Sequence, residues 1–324
     1  MQRRRLLSAL RVLAQLLALV FVAWTAWRVS QEWNGLPAGV PVSAIALAGV
    51  ASLASNFIQA FAWQSQIEFL SERELAWPAQ LRVFLASNLG RYMPGKVGLL
   101  TVRITAASSL GLSPVLVTSA TLIEVLSWMT GSGVVAFAIL GVMGLPSSVA
   151  ALLPPNLGPA VTRGLCAAFV LLALALVLVD RARLPRRLLT ASGLGPSGPL
   201  VSRGMMLTHL VYWLSWCAHG TCLVMAFGAD LPSAFGASAA FVLGPVIGFL
   251  ALLAPAGAGV REAVLISLIA PVSGVSSSVA IGLVSRVLSL GGDVLAWLLS
   301  LGIERWASRT EPQVPEGAPG PPRA

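Results

Sequence analysis

Charge is what this chain has least of: only 10% of its 324 residues are Asp, Glu, Lys or Arg, against about 25% in a typical soluble domain. So few charges do not cover a globular surface of this size, and lipid must cover much of it instead. Cysteine and histidine are scarce as well. Cys166, Cys217 and Cys222 lie inside apolar stretches, no C-x-x-C pair occurs and there are two His, too few for a zinc site shared with Cys. The three thiols read as small buried hydrophobes. No G-x-x-x-x-G-K-[ST] pattern is present, so the chain offers no ATP drive of its own. The carboxylates are few and scattered, with no D-x-D-like pair to hold a metal. No metal and no cofactor is expected.

What the chain does have is apolar length. It is 56% hydrophobic, with a mean hydropathy of +0.84 and 31 Gly; small residues let helices approach closely in lipid. A span needs about 20 mostly apolar residues, and candidates fall at 6–28, 40–62, 115–145, 160–179, 204–228, 233–253 and 279–301. The third is long enough to be tilted or kinked near Gly131-Ser132-Gly133. The apolar run that follows Met1-Gln2-Arg3-Arg4-Arg5 is too long for a signal-peptide core and reads as a retained first span. Two further stretches are apolar but broken, 83–113 and 254–272. The expected fold class is therefore all-α, a polytopic transmembrane helical bundle of about seven spans plus two broken re-entrant segments. The domain is expected over 1–305, and 306–324, rich in Pro, Gly and Glu, is expected to be a disordered cytoplasmic tail.

The net charge of +9 comes almost entirely from Arg at the ends of apolar spans. That favours orientation by positive charge over nucleic-acid binding. Arg3, Arg4, Arg5 and Arg11 put the N-terminus in the cytoplasm, the cluster from Arg181 to Arg203 marks an inner loop, and Arg305 and Arg309 place the C-terminus inside. These anchors agree only if each broken stretch enters and leaves on one side, the first from the cytoplasm and the second from outside. The halves would then have inverted topology, an arrangement that in transporters points to a midplane binding site.

The first broken stretch holds Asn88, Arg91, Tyr92, Pro94, Gly95 and Lys96, followed by Arg103. Cations at membrane depth are costly, and a Pro-Gly break frees backbone groups that are tolerated only in protein or a water-filled cavity. Arg forks onto phosphate oxygens and Lys adds a compact charge, so the set suits an anionic head group. An ordinary cytoplasmic loop touching lipid phosphates is the alternative. The second stretch holds Pro255, Gly257 and Gly259 before Arg261 and Glu262. A turn of small residues leading into a helix start favours an anion; a structural Arg–Glu pair is the alternative. Glu124, Arg286 and Asp293 are charged candidates within spans, for coupling or for interhelical pairing, and Glu124 is placed to neutralise a cation of the first stretch. Arg286 and Asp293, seven apart, share a helix face but do not reach each other. His209 and His219 read as hydrogen-bonded bundle residues.

At N-L-G-R-Y-M-P-G-K-V (Asn88 to Val97) and P-A-G-A-G-V-R-E (Pro255 to Glu262), the chain resembles the flippase-like family that includes the transmembrane region of lysylphosphatidylglycerol synthase. The layout from about 6 to 305 fits as well. The resemblance implies a helical bundle that handles lipids, in some members moving an aminoacylated phospholipid between leaflets. It implies a lipid-handling site lined by Arg91, Pro94, Gly95, Lys96, Gly257, Gly259, Arg261 and Glu262. Full-length synthases append an aminoacyl-transferase domain, and nothing after Arg305 has the length for one, so amino-acid transfer is not expected of this chain.

The leading expectation is a non-enzymatic translocase for an anionic phospholipid or a lipid-linked sugar. The alternatives are a membrane-embedded transferase on a lipid-phosphate donor, with Glu262 or Asp293 as base, and a scaffold subunit. Expected partners are membrane lipids and a partner synthase or glycosyltransferase, with no nucleic acid. Abundant Ala, Arg and Gly with one Lys point to a bacterial source, hence a plasma-membrane location.

Overall fold

The computed structural model describes residues 27, 31, 39–92, 97–144, 159–178, 202–251, 257 and 259–310. All of the expected first span at 6–28 but residue 27, almost all of the basic loop after 179, and Pro94, Gly95, Lys96 and Pro255 lie outside the described residues, as do residues 311–324 of the tail. Everything regular within them is helical, with no strand. In chain order the helices are α1 (Val42–Ser71), α2 (Trp77–Leu89), α3 (Val97–Ala107), α4 (Pro114–Met143), α5 (Pro159–Leu178), α6 (Arg203–Ala226), α7 (Leu231–Ala237), α8 (Ala239–Leu250), α9 (Val260–Ser273) and α10 (Val275–Thr310).

Local chemistry sets the helix ends. Ser113 accepts the Leu116 N–H at 3.2 Å ahead of Pro114, the first residue of α4. Ser202 accepts the Met205 N–H at 3.3 Å at the start of α6. Each satisfies a donor that the first turn leaves free. Gly274, with φ near +78°, ends α9 and turns the chain into α10 in one residue, a conformation that glycine adopts without steric penalty.

Among the described residues, α1, α4, α7 with α8, and α10 are long and apolar enough to cross a membrane, which fits a membrane protein. The apolar part of α5 is shorter. Helix α6 stands where a span is expected over 204–228, but it carries His209, His219 and Tyr212 and buries all three. The outer faces are apolar as well: Val50 and Phe61 on α1, and Leu122 and Leu126 on α4, are exposed. With no bilayer these are an oversized apolar surface; in lipid they are the ordinary exterior.

Helix α4 runs as one helix through Gly131-Ser132-Gly133. Its glycines serve packing: a Cβ on Gly133 would lie 2.5 Å from the Phe169 ring of α5, and one on Gly131 would lie 3.1 Å from Trp213 of α6. Helix α10 continues to Thr310, beyond the boundary expected at 305. In the first broken stretch α2 stops at Leu89, a 3-10 turn covers Gly90–Tyr92, and α3 covers Val97–Ala107.

The interior holds two main apolar clusters. One gathers Trp128, Trp213, Phe241 and Leu265 from α4, α6, α8 and α9. The other gathers Trp63, Ile67, Phe84 and Val117 from α1, α2 and α4.

Candidate functional site

The site is organised by one face of α10. Ser285, Ser289 and Asp293 recur every four residues, so they stack along one stripe of the helix, and Arg286 lies beside it. Each broken stretch delivers an arginine to this stripe, Arg91 from the first and Arg261 from the second.

From the first stretch, Arg91 and Tyr92 sit on the 3-10 turn that follows α2. The Arg91 Nη2 donates to Asp293 Oδ1 at 2.7 Å, and the Tyr92 hydroxyl donates to Asp293 Oδ2 at 2.6 Å. This approach requires Gly90: a Cβ there would lie 2.4 Å from the backbone of Gly98, so any side chain would push α3 away.

From the second stretch, Gly257 and Gly259 both have positive φ, +72° and +83°. The Gly257 backbone crosses Gly248 of α8 so closely that a Cβ would lie 2.6 Å from the Gly248 Cα. Helix α9 then starts, and Glu262 folds back to accept the Gly259 N–H at 2.8 Å while accepting from Arg286 at 3.1 Å. Glu262 therefore binds α10 and its own helix start, and it does not hold Arg261. The Arg261 side chain points to α10, where its Nη2 donates to Ser285 Oγ at 2.8 Å and to Ser289 Oγ at 3.3 Å. Its guanidinium lies 5.3 Å from the Trp216 ring centroid.

His219 supports this arrangement from α6. Its Nδ1 lies 2.8 Å from the Ala48 carbonyl and its Nε2 lies 3.0 Å from Ser285 Oγ. The carbonyl only accepts, so Nδ1 carries the proton. The Ser285 hydroxyl then donates to Nε2, which leaves its oxygen to accept from Arg261.

These residues open onto a cleft. Arg91, Arg261, Arg286, Tyr92, Ser289 and Asp293 form its polar wall. Trp128 of α4, Tyr212 and Trp216 of α6, and Pro245 and Phe249 of α8 form an aromatic and apolar wall. Arg91 and Arg286 each have a carboxylate partner. Arg261 is 7% exposed and forms no ion pair among the described residues. Its Nε, like that of Arg91, meets no hydrogen-bond acceptor there. A buried guanidinium without a counter-charge carries a large desolvation penalty, and an anion in the cleft offsets it.

Two candidates from the sequence lie elsewhere. Arg103 and Glu124 form an ion pair with each other, 1% and 4% exposed at their side chains. Arg103 also donates to Ser87 Oγ at 3.1 Å and packs on the Trp63 and Phe84 rings. Glu124 thus neutralises a cation of the first broken stretch, in a closed node that does not line the cleft. Asn88 is buried at the end of α2 and does not line it either. Sequence reasoning missed the aromatic wall and the Ser285–Ser289 shelf. The serines carry a signal, a four-residue repeat leading to Asp293, whereas the wall residues look like any other apolar residue of a span. Among the described residues no group of His, Cys, Asp and Glu is placed to hold a metal ion. No protein-family model matches the chain and no curated protein matches it, so the geometry of this cleft carries the functional reading.

Proposed function

We propose that the protein is a membrane lipid translocase whose cleft takes an anionic lipid head group while the acyl chains stay in the bilayer. One observation carries the reading: Arg261 is buried, unpaired by any described carboxylate, and opens with Arg91 and Arg286 onto a cleft. Arg presents paired N–H donors suited to phosphate oxygens. The transferase reading is weaker because both cleft carboxylates are already engaged, Asp293 by Arg91 and Tyr92, and Glu262 by Arg286 and the Gly259 N–H. A general base needs a carboxylate free to meet the substrate proton. On this proposal the chain resides in a bacterial plasma membrane with both termini inside, as its basic residues favour. The resemblance to the transmembrane region of lysylphosphatidylglycerol synthase belongs to the same proposal.

The test is the lipid that travels with the protein. Wild type and the Arg91→Ala/Arg261→Ala double variant are purified in mild detergent, and bound lipids are compared by mass spectrometry. Enrichment of one anionic class in wild type, lost in the variant, is expected. The same bulk lipids in both preparations would overturn the proposal.

A further inference from the structure

The two walls of the cleft say more about its ligand than that it is anionic. Three guanidiniums, on Arg91, Arg261 and Arg286, line the cleft with one carboxylate, on Asp293, and Glu262 pairs with Arg286 from outside the lining. Among the described residues the site therefore holds one positive charge in excess. A phosphodiester brings one negative charge and balances it. A head group that also carries ammonium groups brings too few negative charges and adds cations beside three Arg. Aromatic faces do attract ammonium ions, but here the Trp216 face is already taken by Arg261.

The opposite wall is broad for a bare phosphate. Trp128, Tyr212 and Phe249 come from three different helices, and Trp128 meets Phe249 edge-on with centroids 5.7 Å apart. The C–H face of a saturated hydroxylated ring is apolar and faintly positive, which complements the negative face of an aromatic ring. Around such a ring, hydroxyl groups need partners. Ser289 Oγ lies in the lining and keeps a lone pair beyond the one that accepts from Arg261.

We infer that the cleft selects a singly charged phosphodiester bearing an uncharged, hydroxylated six-membered ring, the phosphate on the Arg wall and the ring against Trp128, Tyr212 and Phe249. This rests on the anionic-head-group proposal and narrows it. The same chemistry occurs in two lipids, an inositol on a diacyl phosphate and a hexose on a polyprenyl phosphate.

The test uses the full chain in phosphatidylcholine nanodiscs. These are doped equally with phosphatidylinositol, a polyprenyl-phosphate hexose, phosphatidylglycerol and lysyl-phosphatidylglycerol, and retained lipid is counted by native mass spectrometry. At least one ring-bearing lipid is expected to be retained roughly three- to tenfold over phosphatidylglycerol, the worth of an aromatic contact. Which of the two is retained names the anchor. Lysyl-phosphatidylglycerol is expected below phosphatidylglycerol. Phe249→Leu, which keeps an apolar side chain, should lower retention of the ring-bearing lipid to that of phosphatidylglycerol in the same variant; Arg261→Gln should lower all anionic retention at least about tenfold. Equal retention of ring-bearing lipids and phosphatidylglycerol, or preference for the lysyl lipid, overturns this inference and leaves the broader proposal standing. Failure of wild type to retain any anionic lipid overturns both.

Discussion

Arg103 and Arg261 are the same residue in similar settings: each lies in or just beyond a broken stretch, each is buried, and each packs on aromatic rings. Their surroundings separate them. Arg103 has Glu124, Ser87 and Thr121 about it and is 1% exposed, so its charge is matched within the protein. Arg261 has two serine hydroxyls and a ring face, and it borders a cleft. A buried cation becomes a binding group when the protein leaves its counter-charge to be supplied from outside.

The comparison breaks most sharply at the closed node. Glu124→Gln leaves Arg103 buried without a counter-charge and is expected to destabilise the protein by about 3–5 kcal/mol, read as a fall in the unfolding midpoint in detergent. Replacing both partners with Leu should recover much of that loss, since an apolar pair of similar volume is often as stable. Recovery would mark the node as structural; continued loss of lipid binding in a stable double variant would make it part of the site.

A smaller but definite effect is expected at the Gly257 crossing. Gly257→Ala forces a side chain into a positive-φ residue whose Cβ meets Gly248 backbone. Strain of about 1–3 kcal/mol should displace the start of α9 and with it Arg261, seen as lower thermal stability together with weaker anionic-lipid retention. Arg261→Gln should do the opposite of Glu124→Gln. It removes an unmatched charge, so anionic-lipid retention is expected to fall at least about tenfold, or about 1.4 kcal/mol, without loss of stability. A matched drop in stability would erase the distinction between the two arginines.

The smallest effect is expected at Glu262. Glu262→Gln keeps an acceptor for the Gly259 N–H while removing the charge that faces Arg286. Because Glu262 is partly exposed, stability should change by no more than about 1 kcal/mol, measured by the same thermal unfolding. Retention of anionic lipid should rise slightly, since the cleft gains net positive charge. A fall in retention would show that Glu262 positions the helix start through its charge.

Much of the candidate site was legible from local features. Arg91, Tyr92, Arg261 and Glu262 stand out because charge and helix breakers rarely share an apolar stretch without a reason. Arg286 and Asp293 stand out as charges within a span, and their seven-residue spacing did place both at the cleft. The aromatic wall did not stand out. Trp128, Tyr212, Trp216 and Phe249 sit in helices that are apolar on every side, so no periodicity marks which face looks inward. Gly131 and Gly133 read two ways in the sequence: glycine in a span signals either a bend or a close neighbour, and here Phe169 and Trp213 are close neighbours.

Composition by itself determined the class, because too few charges leave lipid as the cover for an apolar exterior. Glycine by itself determined where the chain turns from α9 into α10, since the positive φ of Gly274 is open to a residue without a Cβ. The tertiary structure alone decided which cation meets a carboxylate and which does not among the described residues. Arg91 finds Asp293 across 202 positions of sequence, while Arg261, next to Glu262 in the chain, turns away from it toward Ser285. Ion pairing depends on ångström-scale distances between side chains, and only the packing of α2, α6, α9 and α10 around one another sets those.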